Sequence, residues 1–196
     1  MLYPGKSCSI TDDWKYKGMQ VVFLENDLLR IGILADRGSD IFEFTYKPQN
    51  LDFLLRLQKG IENPASTFSQ IRDTPNQFED YYYGGWQEIL PNSKGFNYRG
   101  AALGQHGEVS LIPWKYAIVE DSPEIVSVKL WARPLRMPLR IQKTLSLKKG
   151  APTLDIEEEL TNDANTDLQV MWGHHIAFGL PFLKEGVVVE TNARTF

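Results

Sequence analysis

The sequence predicts an all-β protein, a large antiparallel β-sandwich. Several segments alternate apolar and polar side chains or form β-branched runs, and turn-forming residues separate them. No segment shows the apolar spacing of a long amphipathic helix. Of the 196 residues, 42% are hydrophobic and 23% charged, a balance that suits one folded domain over residues 1–196.

The first half of the chain opens with a predicted meander of strands. "MQVVFLEN" and "LLRIGILAD" are β-branched runs separated by Asn26 and Asp27, a pair that favours a hairpin turn. "DIFEFTYK" follows a turn at Gly38 and Ser39. These segments indicate three consecutive antiparallel strands.

The second half shows the clearest alternation. "EIVSVKLWAR", "LRIQKTLSL" and "TLDIEEEL" each carry apolar residues at every second position, with polar residues between them. This period of two is typical of sheets with one face in contact with water. After a polar turn at "TNDANTD", the segment "LQVMW" is predicted to form a further strand that leads into a histidine pair.

The region from residue 57 to 105 differs from the rest. It contains several prolines, many glycines and the aromatic cluster "YYYGGW", and we expect at most a short helical turn at "TFSQIRD". Long irregular segments of this kind often bind ligands or cover a site.

Composition limits the possible partners. The net charge of −4 argues against nucleic acid and anionic membranes, since basic patches recognise both. No apolar run approaches the length of about 18 residues that spans a membrane. Cys8 is the single cysteine, and no secretory signal is visible, so we expect a cytoplasmic protein that requires no cofactor.

The three histidines are the main candidates for chemistry. In "QHGEVSLIPW", His106 and Glu108 would share one face if the segment begins a strand. An H-x-E pair followed by a distant histidine also has the spacing of a non-haem iron site, which would use His106, Glu108 and His174. This metal enzyme is the less favoured of the readings that the residues allow.

"MWGHHIAFG" contains the other two histidines. Successive strand residues face opposite ways, so one of His174 and His175 would face a site and the other the core or a rim. Trp172 and Phe178 frame the pair, and aromatic faces beside polar groups suit a sugar ring, although core packing explains them equally well.

"YYYGGWQEILPN" offers a third set of candidate contacts. Trp86 provides an aromatic platform, and Gln87, Glu88 and Asn92 provide side chains that can bond hydroxyl groups. We therefore predict that this loop contacts a ligand.

Together these segments resemble the aldose 1-epimerase (galactose mutarotase-like) superfamily. "LLRIGILADRGSDIFEFTYK", "GGWQEILPN", "QHGEVSLIPW" and "ELTNDANTDLQVMWGHHIAFGLPF" are similar to that family's motifs and occur in the same order. The resemblance spans most of residues 20 to 183. It implies a β-supersandwich and the interconversion of the α and β anomers of a free aldose.

The resemblance also implies roles for individual residues. His175 matches the histidine that protonates the ring oxygen, with His174 as the alternative, and His106 matches the substrate-binding histidine. The family's base is a glutamate well downstream of the acid histidine, and no segment here resembles it. The chain is then either the N-terminal portion of a longer fold, with unpaired strand edges open to self-association, or one in which Glu108 or Glu88 replaces the base. A catalytically silent sugar-binding domain is the remaining alternative.

Overall fold

The computed structural model describes residues 7–66 and 76–192, and these residues form two antiparallel β-sheets packed face to face. The segment "TFSQIRD" lies outside the described residues. The helices comprise a short 3-10 turn, Lys47–Gln49, and one α-helix, α1, Gln77–Tyr81. The strands are β1 Ser9–Tyr16, β2 Met19–Glu25, β3 Leu29–Leu34, β4 Asp40–Tyr46, β5 Leu51–Asp52, β6 Trp86–Ile89, β7 Phe96–Tyr98, β8 Ala101–Leu103, β9 Lys115–Asp121, β10 Ile125–Ala132, β11 Leu139–Lys148, β12 Asp155–Asn162 and β13 Gly173–Ile176.

The larger sheet has seven strands in the order β1-β2-β3-β4-β6-β13, with β5 paired to β4. The smaller sheet has the order β12-β11-β10-β9, and β7 and β8 form a separate pair. The all-β antiparallel sandwich predicted from the sequence is confirmed. Within the described residues, the edge strands are β1 and β13 in one sheet and β9 and β12 in the other; association through these edges stays a prediction.

The predicted turns form as their residues dictate. The Asn26 side-chain oxygen accepts hydrogen bonds from the amides of Leu28 and Leu29, and its Nδ2 donates to the carbonyls of Lys148 and Ala151. One side chain therefore closes the β2–β3 hairpin and ties it to the smaller sheet. At the β3–β4 turn, the positive φ angles fall on Gly38 and Ser39, as expected for a tight reversal.

The main core lies between the two sheets. Alternate residues of β2, β3, β10 and β11 are fully buried there, which confirms the alternation seen in the sequence. A smaller apolar cluster covers the opposite face of the larger sheet. Its buried members are Met19, Val21, Leu34, Ile61 and Tyr83.

One predicted strand is wrong. "LQVMW" has no regular structure, and the strand begins only at Gly173, where pairing with β6 starts. Met171 and Trp172 are 61% and 38% exposed, so the apolar character of this segment does not reflect burial in a sheet. Among the described residues, no helix has the length and apolar character needed to cross a membrane.

Candidate functional site

Strand register decides which way the two adjacent histidines point. In the antiparallel pair of β13 and β6, His175 lies opposite Gln87 and His174 opposite Glu88. Gln87 donates a hydrogen bond to Asp40, whereas Glu88 pairs with Lys143 of the smaller sheet. His175 and Gln87 therefore lie on the outer face of the larger sheet, and His174 and Glu88 lie on the face turned toward the smaller sheet.

His106 and His175 meet on the outer face. Their ring centroids are 5.3 Å apart, and the rings are inclined at 48°. Phe78 of α1 packs edge-on against both imidazoles, at 4.4 Å from His106 and 5.4 Å from His175. Tyr82 lies 5.3 Å from His175. The result is an imidazole pair inside a small aromatic enclosure, the outer-face site.

His106 reaches this position from a turn. Its φ is +61°, and its amide donates to the Ser93 carbonyl at 2.8 Å. Asn92 holds the same loop by donating from Nδ2 to the carbonyls of Lys94 and Gly104. The strand start expected at His106 and Glu108 is therefore wrong, because a left-handed residue cannot continue a strand. Glu108 instead accepts a hydrogen bond from the Arg136 amide at 2.8 Å.

Gly107 lets this turn approach the neighbouring backbone. Its φ is +70°, and a Cβ at this position would overlap the Leu90 carbonyl oxygen. We expect Gly107→Ala to lower the free energy of unfolding by more than about 2 kcal/mol, since backbone strain and the overlap add. Gly100→Ala is the matched control, because Gly100 has a φ of +88° and open space around it. Urea unfolding measures both variants, and equal losses would contradict the steric part of the prediction.

The two imidazoles keep unused hydrogen-bonding capacity. The Nδ1 atoms of His106 and His175 are buried, and neither has a hydrogen-bond partner among the residues that the structure describes. Burial lowers the pKa of His106, and the nearby His175 lowers it further. At neutral pH His106 is therefore uncharged and can accept or donate a hydrogen bond at this site.

A buried ion pair lies beside the site on the same face. Arg37 Nη1 donates to Asp40 Oδ2 at 2.7 Å, and the two side chains are 2% and 0% exposed. Arg37 also donates to the Tyr81 carbonyl, and its guanidinium lies over the Tyr83 ring. Burial raises the pKa of Asp40 to about 6, since it outweighs the stabilising charge of Arg37.

This pKa predicts a pH-dependent stability. The folded protein binds the Asp40 proton more tightly than the unfolded chain, so the proton stabilises the fold in acid, and this contribution is lost as pH rises from 3.8 through about 6. The Asp40→Asn variant has no ionisable group at position 40. Relative to wild type, its free energy of unfolding should rise by up to about 3 kcal/mol between about pH 4 and about pH 7. Urea unfolding across this range tests the prediction, and a constant difference would contradict it.

The face turned toward the smaller sheet carries a different polar group, the interior cluster of Glu88, Lys143, Glu158 and His174. The Trp86 indole donates to His174 Nδ1 at 2.9 Å, so Nε2 carries the proton and donates to Glu158 Oε2 at 3.2 Å. Both ring nitrogens of His174 are thus engaged. The bond to Glu158 fastens the edge strand β13 to β12 of the opposite sheet, and the bond from Trp86 fastens it to β6.

The interior cluster places two carboxylates and one ammonium group between the two sheets. Glu88 is fully buried, accepts from the Trp172 indole at 2.6 Å, and lies 3.4 Å from the Lys143 ammonium. Burial raises the pKa of Glu88, although Lys143 acts against this. Burial also disfavours the Glu158 carboxylate, but the hydrogen bond from His174, together with the charge of Lys143, outweighs burial and lowers the pKa of Glu158.

The metal site considered from the sequence is not assembled. Among the described residues, the His, Cys, Asp and Glu side chains close enough to share a metal ion are Glu88, Glu158 and His174, whose ligand atoms lie within 4.8 Å of one another. His106 contacts His175 on the other face, and Glu108 binds the Arg136 amide. A site built from His106, Glu108 and His174 is therefore wrong.

Comparison with known proteins places the chain in a family. The model of a family described as a domain of unknown function, DUF4432, matches residues 16–196. The chain belongs to the DUF4432 family. No curated protein sequence matches it.

Solved structures show the fold of this DUF4432 chain. A protein assigned as an aldose 1-epimerase from Klebsiella pneumoniae subsp. pneumoniae superposes with a TM-score of 0.71 at 17% identity, covering 91% of this chain and 49% of that protein. A galactose mutarotase-like protein from Clostridium acetobutylicum gives 0.62 at 16% identity, covering 92% and 56%. The DUF4432 chain has a mutarotase-like fold and spans about half the length of these two proteins.

The DUF4432 structure divides the residues predicted to form a sugar site. It brings His106 and His175 together, with Gln87 on the same face. It places His174, Glu88 and Trp86 on the opposite face of the sheet, where their polar atoms bond one another or the smaller sheet. The other predicted contacts also lie apart from the imidazole pair: Trp172 bonds Glu88, Asn92 supports the His106 loop, Glu108 binds Arg136, and Phe178 packs on Phe182.

Sequence reasoning missed two members of the interior cluster, although the sequence contained a sign of them. Lys143 and Glu158 occupy apolar-face positions in the alternating segments of β11 and β12, and they are direct partners in the register of those strands. Two opposite charges that interrupt facing apolar rows indicate a buried pair. Phe78 of the outer-face site gave no comparable sign, whereas Tyr82 belongs to the aromatic cluster "YYYGGW".

Proposed function

We propose that this chain binds a free aldose at the outer-face site and contributes the proton-donor side of an aldose 1-epimerase reaction. His175 gives a proton to the ring oxygen, and His106 bonds the same region of the sugar. The observation that carries this proposal is the pair of buried imidazoles, each with an unpartnered Nδ1, inside an aromatic enclosure on a mutarotase-like fold.

The chemistry follows from what the enclosure offers. Phe78 packs against both imidazoles, the partly exposed Tyr82 gives an apolar face against which the C–H side of a sugar ring can pack, and the imidazole nitrogens bond the sugar oxygens. Protonation of the ring oxygen, with removal of the proton of the anomeric hydroxyl by a carboxylate, opens the ring. Rotation about the C1–C2 bond and reclosure then give the other anomer. Each proton transfer accelerates such a reaction by about 10²–10⁴-fold.

Silent sugar binding is the second candidate, and one observation favours it. The two carboxylates that the sequence offers as the base both point elsewhere, since Glu88 is buried toward the smaller sheet and Glu108 is bonded to the Arg136 amide. A chain with the acid but without a base would bind an aldose and leave its anomers unchanged.

NMR exchange spectroscopy on D-glucose, D-galactose, D-mannose and D-xylose distinguishes the two candidates. Anomer exchange faster than in buffer supports the epimerase proposal. Saturable chemical-shift changes in the protein without faster exchange support the binding domain. If the sugars produce neither effect, both candidates are overturned.

A further inference from the structure

Three residues on neighbouring strands form a row across the outer face. Gln87 of β6 lies opposite His175 of β13, and on its other side it bonds Asp40, the first residue of β4. Ile41 of β4 pairs with Trp86 of β6. Because the two strands are antiparallel, Asp40 then lies opposite Gln87. The row connects the Arg37–Asp40 ion pair to the imidazole pair through one amide side chain.

The two bonds made by Gln87 determine which way its amide faces. Nε2 donates to Asp40 Oδ2 at 3.3 Å and to the Gly84 carbonyl at 2.7 Å. A carboxylate and a carbonyl oxygen can only accept hydrogen bonds, so the NH₂ group must face both of them. The amide oxygen Oε1 therefore points away from Asp40 and from the Gly84 carbonyl.

That oxygen is buried and has no partner among the described residues. Gln87 is 2% exposed, and the buried Tyr83 hydroxyl, which interacts with Gln87 and Asp40, does not bond its Oε1. An unpaired buried acceptor costs about 1–3 kcal/mol, which a suitably placed donor recovers. The Nδ1 atom of His175, the cross-strand neighbour, is likewise without a partner.

We propose that Asp40, held by Arg37, is a positioning residue that fixes Gln87 so that its Oε1 accepts a hydrogen bond from a ligand hydroxyl beside His175. This inference rests on the proposed function and adds a requirement that determines which sugars the site binds. A ligand must present a hydroxyl donor at this point. A sugar that carries a phosphate, a carboxylate or a hydrogen atom there is rejected, because none of these groups donates to the amide oxygen.

The first measurement examines the amide itself in the wild-type protein. We expect the two Nε2 protons of Gln87 to exchange with solvent at least about tenfold more slowly than those of Gln142, whose amide donates to Glu159 on the exposed face of the smaller sheet. Equal exchange rates would overturn the positioning role. This result requires neither a variant nor a sugar.

The second measurement examines binding of the tightest of the four sugars named above. We expect Gln87→Met, which keeps the side-chain length, to weaken binding about tenfold or more, while Gln142→Met has no effect. One monodeoxy derivative of that sugar should bind wild type as weakly as the parent binds Gln87→Met, and should lose nothing further on the variant.

Asp40→Leu, which has no hydrogen-bond acceptor, completes the test of positioning. It should speed exchange of the Gln87 amide protons and weaken sugar binding, and Asp40→Leu combined with Gln87→Met should bind no worse than Gln87→Met alone. Additive losses would mean that Asp40 acts only on stability and would overturn its role. Equal binding by wild type and Gln87→Met overturns the acceptor role while leaving the proposed function intact. Failure of wild type to bind the sugars overturns both.

Discussion

His175→Ala should abolish any acceleration of anomer exchange, a loss of about 10²–10⁴-fold. The variant removes the imidazole that the register of β13 and β6 places on the outer face, beside His106. NMR exchange spectroscopy on the sugar that wild type converts fastest measures the effect.

The control for this experiment is Gln142→Met, which changes an exposed residue of the smaller sheet and should keep the wild-type rate. Retention of the full rate by His175→Ala would contradict the role of His175 as the acid. A similar loss in both variants would mean that the assay reports folding and not chemistry.

Lys143→Met should lower the free energy of unfolding by about 3–5 kcal/mol. Lys143 is 3% exposed and supplies the cation for Glu88, which is fully buried. Its loss leaves a carboxylate between the sheets without a compensating charge. Urea unfolding at neutral pH measures the change.

Lys148→Met on the same strand is the matched control. Lys148 pairs with Asp155, and both side chains are more than half exposed. Exposed pairs contribute about 1 kcal/mol or less, so the control should be nearly neutral. Adding Glu88→Gln to Lys143→Met should recover part of the loss, because it removes the unpaired charge. Equal losses at positions 143 and 148 would contradict a buried ion pair.

The sequence was sufficient where local chemistry determines structure. The Asn26 turn and the alternation in β10 and β11 were predictable, because turn residues and a period of two act over a few positions. It was insufficient for "LQVMW", whose apolar residues form no strand because, within the described residues, strand pairing begins only at Gly173. Helix α1, which Asn76 caps, has five residues and is too short to leave a periodic pattern in the sequence.

The candidate site was predictable in part for the same reason. Strand geometry required His174 and His175 to face opposite ways, and the sequence could not decide between them. Contacts from distant parts of the chain made the choice, since Glu158 and Trp86 hold His174 while His106 and Phe78 meet His175. Asp40 and Arg37 gave no sign, because their pairing depends on the path of the turn between β3 and β4.

The doublet of identical residues in β13 carries a form of redundancy. If the strand shifted by one position so that His174 lay opposite Gln87, His174 would face outward in place of His175, and His175 would face inward opposite Trp86. Such a shift would break the hydrogen bonds that His174 makes with Trp86 and Glu158, so these two side chains stabilise the present alignment. Residual activity in a protein lacking His175 would then report how often the strand shifts, and removing both histidines would erase it.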